Sequence, residues 1–266
     1  VDIIQISWRD IPGRDNAWYE YEKSRMTEDE IARELDISYE KSSRAVVFKE
    51  FKEAHILRKE YKVNPNLKVI RTLDYGKIAC ACLFSQKDNF GNITFFKEIV
   101  LENESDPTRK LARAVQSYSS ELICQGFVDH DDPAGTTDNY VNENETSFKI
   151  VQQYGIHPTH HVSGASNTRL RNRVELAKHL LAQFPEGEPV IRIHESMTYT
   201  IDALQGGYRH REDRNTKQIL DEIIEEHPHE DVADCFGITL VEELTVENQM
   251  NVPKRQSRRG NKYTGW

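Results

Sequence analysis

The sequence lacks any apolar run approaching the roughly 20 residues that a transmembrane helix requires. Its longest uncharged apolar stretches, such as Ile78 to Phe84, have strand length. It lacks an apolar leader as well: residues 1–10 carry Asp2, Arg9 and Asp10 and no hydrophobic core of a signal peptide. Cysteine is scarce, with four residues at positions 80, 82, 124 and 235. They show no secreted spacing pattern, which predicts a reducing compartment. No phosphate loop of the form GxxxxGKS or GxxxxGKT occurs, and no internal repeat. What is present is 266 residues, 37% hydrophobic and 30% charged. That balance excludes both a membrane protein and a wholly disordered one. It predicts one large domain, or one domain with an appendage.

The net charge of −9 argues against a simple basic protein that coats DNA. The charge is uneven. Lys254, Arg255, Arg258, Arg259 and Lys262 lie in the last sixteen residues with no acid among them, which leaves 30 bases against 44 acids in the remainder. An acidic body with a basic tail suits a globular protein with a flexible terminus. It also suits an acidic metal-binding centre with local basic surfaces.

Residues 1–66 read as irregular and then helical. Thr27 is a good N-cap, Glu30 completes a capping box, and Ile31 and Leu35 share an apolar face. A second unit begins near Leu67. Val69 to Asp74 reads as a strand ending on an acid, and Tyr75-Gly76 turns the chain. Ile78 to Phe84 is apolar on both faces, as an interior strand should be. Lys87 to Asn92 is a turn cluster, and Ile93 to Leu101 the next strand. Together they predict an antiparallel meander. Leu111, Val115, Tyr118 and Leu122 stripe a helix that Gly126 would stop. Phe127 to Asp132 then forms a short strand, and the helical crossover predicts that it runs parallel to the first. Further helices are predicted over 145–154, 170–184, around Ile219 and Ile223, and over 233–244, with a strand at 190–193.

Three acids stand at special positions. Asp74 ends the first strand, Asp132 ends the fourth, and Asp234 lies in the first turn of the last helix with Asp231 one turn before it. Neighbouring strand ends lie only about 5 Å apart, and carboxylates so close repel unless a cation separates them. Hard oxygen ligands suit Mg²⁺ or Mn²⁺. Two such ions about 4 Å apart can generate hydroxide and stabilise a leaving oxygen in phosphodiester cleavage. The plainer alternative is that acids at strand ends are common and that Asp before Pro forms turns. The order strand–strand–strand–helix–strand weighs against it, because it matches the ribonuclease H-like arrangement.

The sequence resembles the nuclease domain of tailed-bacteriophage large terminase subunits, the motors that package and cut viral DNA. The resemblance rests on Leu73-Asp74-Tyr75-Gly76, on Asp131-Asp132-Pro133-Ala134-Gly135 and on Asp231-Val232-Ala233-Asp234. It extends to Gln205-Gly206-Gly207-Tyr208 and to the terminal Tyr263-Thr264-Gly265-Trp266. It implies an α/β fold: a ribonuclease H-like mixed sheet flanked by helices, with a mostly helical N-terminal appendage. Residues 1–66 would be the end of the ATPase region and a linker, 67–250 the nuclease domain, and 251–266 a basic flexible tail. The chain would then be a fragment of a longer motor. The resemblance further implies a metal-dependent endonuclease that cuts double-stranded DNA with little sequence preference. Asp74, Asp132 and Asp234 would hold two Mg²⁺ or Mn²⁺ ions, with Asp74 bridging and water attacking in line. Asp131 competes with Asp132, because strand register decides which faces the metals. The family often has His where Asp231 stands, and a carboxylate there would bind the second ion or face solvent. Glu98, on strand three, is a less favoured ligand, and a structural or surface role is expected for it. Implied partners are double-stranded DNA, the portal and the small terminase subunit, in the host cytoplasm with no membrane, the fragment itself being monomeric.

Positive flanks are needed to hold DNA against an acidic centre. Arg169, Arg171 and Arg173 cluster at a helix start, and Arg209, Arg211 and Arg214 in a loop, with pairing to Glu175 or other acids an equal reading for Arg171 and Arg173. A rival reading is a helix-turn-helix regulator, with Thr27 to Ser42 as its first half and Ser38 to Phe51 as the recognition helix. Another is a catalytically silent docking domain of the same fold. His157, His160 and His161 read as a polar loop rather than a zinc site, and Cys80 and Cys82 as small core residues.

Overall fold

The apolar runs between 69 and 102 form an antiparallel meander in the computed structural model, which describes residues 8–25, 31, 35, 45–76, 78–131, 140–142, 145–159, 170–213, 216, 218–224 and 226–250. Strands β1 (Ile56–Leu57), β2 (Val69–Asp74), β3 (Ala79–Lys87), β4 (Ile93–Glu102), β5 (Phe127–Asp131) and β8 (Ile191–His194) make one six-stranded sheet in the order β1-β8-β4-β3-β2-β5. The meander pairs are antiparallel, whereas β5 on β2, β8 on β4 and β1 on β8 are parallel. β3 is buried along nearly its whole length, as its doubly apolar pattern demands. Two two-stranded ribbons complete the strands: β6 (Tyr140–Asn142) with β7 (Glu145–Thr146), and β9 (His210–Glu212) with β10 (Ile219–Ile223).

Helices cover both faces. On one side lie α2 (Pro107–Glu121) and α3 (Ser147–Gln152). Leu111, Ala112, Val115 and Val151 close there on Val69, Leu73, Cys80, Cys82 and Phe84. On the other side lie α4 (Leu170–Leu181), α5 (Thr198–Asp202) and the long α6 (His229–Met250). Their core joins Val174, Ala177 and Leu181 to Val232, Phe236 and Leu240 over Ala81, Leu83 and Phe95. Period-2 alternation sorts the sheet: odd residues of β2 face α2, and even ones face α6. This is the mixed, helix-flanked sheet of the ribonuclease H-like class. No helix among the described residues is long and apolar enough to cross a membrane.

Three expectations need correcting. Ile219 to Ile223 is a strand, not a helix, and pairs antiparallel with β9. The spacing i, i+4 that suggested a helix also keeps both isoleucines on one side of an extended chain. The helix after the meander ends at Glu121, with Leu122 as its extended C-cap, and not at Gly126. The last helix begins at His229, so Asp231 occupies its first turn and Asp234 the next.

In the N-terminal part, α1 (Asn16–Lys23) is capped by the Asp15 carboxylate, which accepts from the Trp18 N–H at 2.8 Å. Trp8, Ile31 and Leu35 form a small separate core, with Tyr19 stacked on Trp8 at 4.9 Å. Val47 and Phe48, by contrast, belong to the α6-side core, and β1 is part of the sheet. The sheet unit thus recruits chain from ahead of residue 67. Residues 45–51 form no helix: Val46 bridges to Arg209, which removes the second half of the expected recognition helix. The rest of Thr27 to Ser42, apart from Ile31 and Leu35, lies outside the described residues, as does the 251–266 tail.

Candidate active site

α6 crosses the end of β2 in a fixed register. The hydroxyls of Thr72 and Thr239 meet at 2.7 Å beneath the helix. One turn nearer the helix start, the Cys235 thiol lies 3.7 Å from the carbonyl oxygen of Ala81, the cross-strand partner of Asp74. A further turn back stands Asp231, in the same i, i+4 row. Asp74, two residues beyond Thr72, shares that face of the sheet. Its strand ends against Asp231: a side chain at Gly76 would bring its first carbon 3.1 Å from the Asp231 Oδ1. The Cys235 thiol registers this convergence. Burial raises it well above its ordinary range, and the charges of Asp74, Asp231 and Asp234 raise it further. Burial, then Asp231 and Asp74, push the Cys80 thiol up to about 12. The end of β2, which bears Asp74, thus meets the first turns of α6, which bear Asp231 and Asp234.

Two of the three carboxylates have side-chain partners in the protein. Arg173 Nη2 donates to Asp234 Oδ2 at 2.9 Å, both side chains being buried or nearly so. His227 Nδ1 lies 2.8 Å from Asp231 Oδ2. The start of α6 also presents the positive end of its helix dipole to Asp231. Among the described residues, no three His, Cys, Asp or Glu side chains form a ready metal-binding group.

Asp131 is placed elsewhere. It pairs in register with Leu73, so it faces α2, on the side of the sheet opposite Asp74. There it is buried beside Tyr75, whose hydroxyl is raised well above its usual range by burial and then by the Asp131 charge. Asp132 lies outside the described residues. The same face holds a pair that sequence reasoning missed. Asp129 takes a two-pronged bond from Arg71, Nε to Oδ1 at 2.6 Å and Nη2 to Oδ2 at 2.8 Å. These two residues are register partners on adjacent parallel strands, so the pair ties β5 to β2.

The candidate DNA-contacting arginines divide. Arg173 is buried in the seam between α4 and α6, bound to Asp234. Arg171 is exposed on α4. Arg209 is buried and bound to Glu226 at 3.0 Å, and Arg211, half exposed, is bound to Glu222 at 3.1 Å. Arg169 and Arg214 lie outside the described residues. Glu98 is structural: its carboxylate accepts from the N–H groups of Tyr199 and Thr200 and from the Thr200 hydroxyl, closing the start of α5. His157 donates its backbone N–H to Asp129, while His160 and His161 lie outside the described residues. Cys80 and Cys82 are fully buried in the α2-side core. The Gln205 to Tyr208 motif gains a role. Gly207 lies against the His229 ring that opens α6, and Tyr208 stacks on Phe48 at 5.8 Å, its hydroxyl raised by burial and by Asp234 while Arg173 opposes.

No sequence family matches this chain, and no curated protein is detectably similar to it in sequence. Solved structures are similar in fold. The large terminase from a thermophilic bacteriophage superposes with a TM-score of 0.54 at 12% identity, over 89% of this chain and 55% of that one. The same terminase in complex with ADP gives 0.54 at 12% identity, over 89% and 54%. The P22 large terminase nuclease domain gives 0.52 at 13% identity, over 74% of this chain and 91% of that domain. This chain spans about half the length of the large terminase it matches. Its sheet order, its flanking helices and its carboxylate helix α6 are thus set in the ribonuclease H-like fold of a large-terminase nuclease domain.

Proposed function

We propose that this chain is the nuclease part of a viral DNA-packaging motor of the large-terminase kind, an endonuclease that cuts double-stranded DNA with little sequence preference. The observation that supports the proposal is the meeting of the end of β2, which bears Asp74, with the start of α6, which bears Asp231 and Asp234, within that fold. The donor chemistry suits Mg²⁺ or Mn²⁺. It offers carboxylate oxygens, the hard ligands that those ions take. Asp74 and Asp234 would hold the ion or ion pair together with Asp132, since Asp131 faces the other side of the sheet. When bound, the metal supplies a nucleophilic hydroxide at neutral pH and stabilises the leaving oxygen.

The chain's own residues supply the rest. β2 and α6, locked by Thr72 and Thr239, fix the separation of Asp74 and Asp234. His227 holds Asp231, and the helix dipole lowers the repulsion among the acids. Arg171 and Arg211 remain as surface cations for the DNA backbone, the second in competition with Glu222. Residues 1–66 would be the end of the ATPase region and a linker, of which Val47, Phe48 and β1 pack with the sheet unit, and the portal and small terminase subunit would be partners of the assembled motor. The test is plasmid digestion by the purified chain with Mg²⁺, Mn²⁺ or EDTA, beside Asp74→Asn. Cutting that needs the ion and disappears in the variant is expected. Cutting that survives in Asp74→Asn would refute the site. Binding of duplex without cutting under either ion would leave a docking domain of the same fold.

A further inference from the structure

Arg173 sits in the first turn of α4 and reaches across to α6, 61 residues away in sequence, where its Nη2 donates to Asp234 Oδ2 at 2.9 Å. It is 6% exposed. Its stem has a prepared seat. Gly237, one turn beyond Asp234, would carry a side-chain carbon only 3.2 Å from the Arg173 Cβ, 3.7 Å from its Cδ and 3.9 Å from its Cγ. Glycine inside a helix is less favourable than alanine, so its presence on α6 is explained by the passage of the arginine stem. A guanidinium held this way cannot swing to water without leaving its seat, and leaving Asp234 would strand a buried charge.

We propose that Arg173 is a positioning residue for the candidate reaction: it stays on Asp234 Oδ2 and fixes the orientation in which that carboxylate meets a divalent cation, with Gly237 as the seat that sets its reach. The inference rests on the metal-nuclease reading above. It assigns Arg173 to the acidic centre rather than to the DNA surface. Outer partners that orient a ligating group typically carry 10–100-fold in metal affinity. A different role, a counter-ion that must be expelled before the cation enters, would give the opposite sign on removal of the arginine.

The experiment is calorimetric titration of Mn²⁺ into the DNA-free chain, well below each variant's unfolding temperature. The proteins are the wild type, Asp74→Asn, Arg173→Met, Arg173→Lys and Gly237→Ala. Affinity should fall roughly 10–100-fold in Arg173→Met and recover in part in Arg173→Lys. It should also fall in Gly237→Ala, which changes no charge and crowds the arginine stem. A merely structural role would lower the unfolding temperature of these variants and leave the affinity of the folded protein unchanged, which would overturn the proposal. Tighter Mn²⁺ binding in Arg173→Met would overturn it in favour of the expelled counter-ion. Wild type that binds no Mn²⁺, or binds it as well as Asp74→Asn does, would overturn the metal-nuclease reading itself, and this inference with it.

Discussion

Replacing Arg71 by methionine should unlatch β5 from the sheet. Arg71 and Asp129 are 4% and 6% exposed, so water screens their bond very little. The guanidinium also donates to Ser119 Oγ at 3.0 Å and to the Gly155 carbonyl at 3.2 Å, and it lies 4.3 Å from the centre of the Phe127 ring. One arginine therefore joins β2, β5, α2 and the turn after α3. Methionine keeps much of the stem volume but leaves the Asp129 carboxylate buried, with only the His157 N–H at 2.7 Å to satisfy its Oδ2. Breaking a buried pair from one side costs about 3–5 kcal/mol. At about 2–4 °C per kcal/mol for a chain near this size, the melting temperature should drop by roughly 6–20 °C. Thermal unfolding of Arg71→Met, Asp129→Leu and the double variant supplies the assay. The double variant should recover most of the loss, because no charge is then stranded. A loss below about 1 kcal/mol in Arg71→Met, the scale of an exposed pair, would refute the reasoning. So would a double variant as unstable as the sum of the single ones.

Gly207→Ala should destabilise the fold by about 1–3 kcal/mol in urea unfolding, because the added carbon would lie 2.6–2.8 Å from three atoms of the His229 ring. The same step should weaken Mn²⁺ binding, since that ring opens the helix that carries Asp231 and Asp234. A pH dependence follows from His130, Glu243 and Lys87, which meet between α6 and the sheet: His130 Nε2 is 2.9 Å from Glu243 Oε1, and Lys87 Nζ 3.1 Å from Glu243 Oε2. Burial alone would lower the His130 pKa, but the bond and charge of Glu243 outweigh it and leave it raised. Burial likewise works against Glu243, whose pKa is nonetheless lowered by His130 and Lys87. The histidine's contribution is full below pH 6.5 and is lost as pH rises through its folded value; the glutamate's is full above pH 4.5 and is lost as pH falls through its own. Glu243→Gln should therefore destabilise more at pH 5.5 than at pH 8.5, and an equal loss at both would show that His130 is neutral throughout.

Much of the sheet was legible because period and turn chemistry agree between 69 and 131. The apolar faces of β2 to β4, the stripe on α2 and the crossover to a parallel β5 all follow from local pattern. Asp74 and Asp234 stand out in the sequence because an acid closing an apolar strand, or opening an apolar helix, breaks that pattern visibly. What escaped depends on distant pairing. Nothing around Arg173 says that it is buried; beside Arg171 it looks like part of a basic face until Gly237 is seen to make room for it. Arg71 was hidden in the same way, since a charge inside a strand reads as an exposed position unless its cross-strand partner is known. Ile219 to Ile223 was misread because five residues satisfy a helical and an extended spacing equally well, and only the partner strand β9 decides. Asp131 against Asp132 was a question of register, and the pairing of Asp131 with Leu73 places Asp131 on the α2 side.

The turn after Asp74 has a consequence for how this protein can change over generations. A carbon added at Gly76 would overlap the carbonyl oxygen of Ala79 and press on the Asp231 carboxylate. Every single-base change of a glycine codon that alters the amino acid installs such a carbon, so no one-step mutational path leaves this position without disturbing the turn. Neighbouring lineages could diverge nearly everywhere else in the sheet by exchanging one apolar residue for another. At Gly76 the chain has no adjacent sequence to move to, and drift elsewhere must go around it.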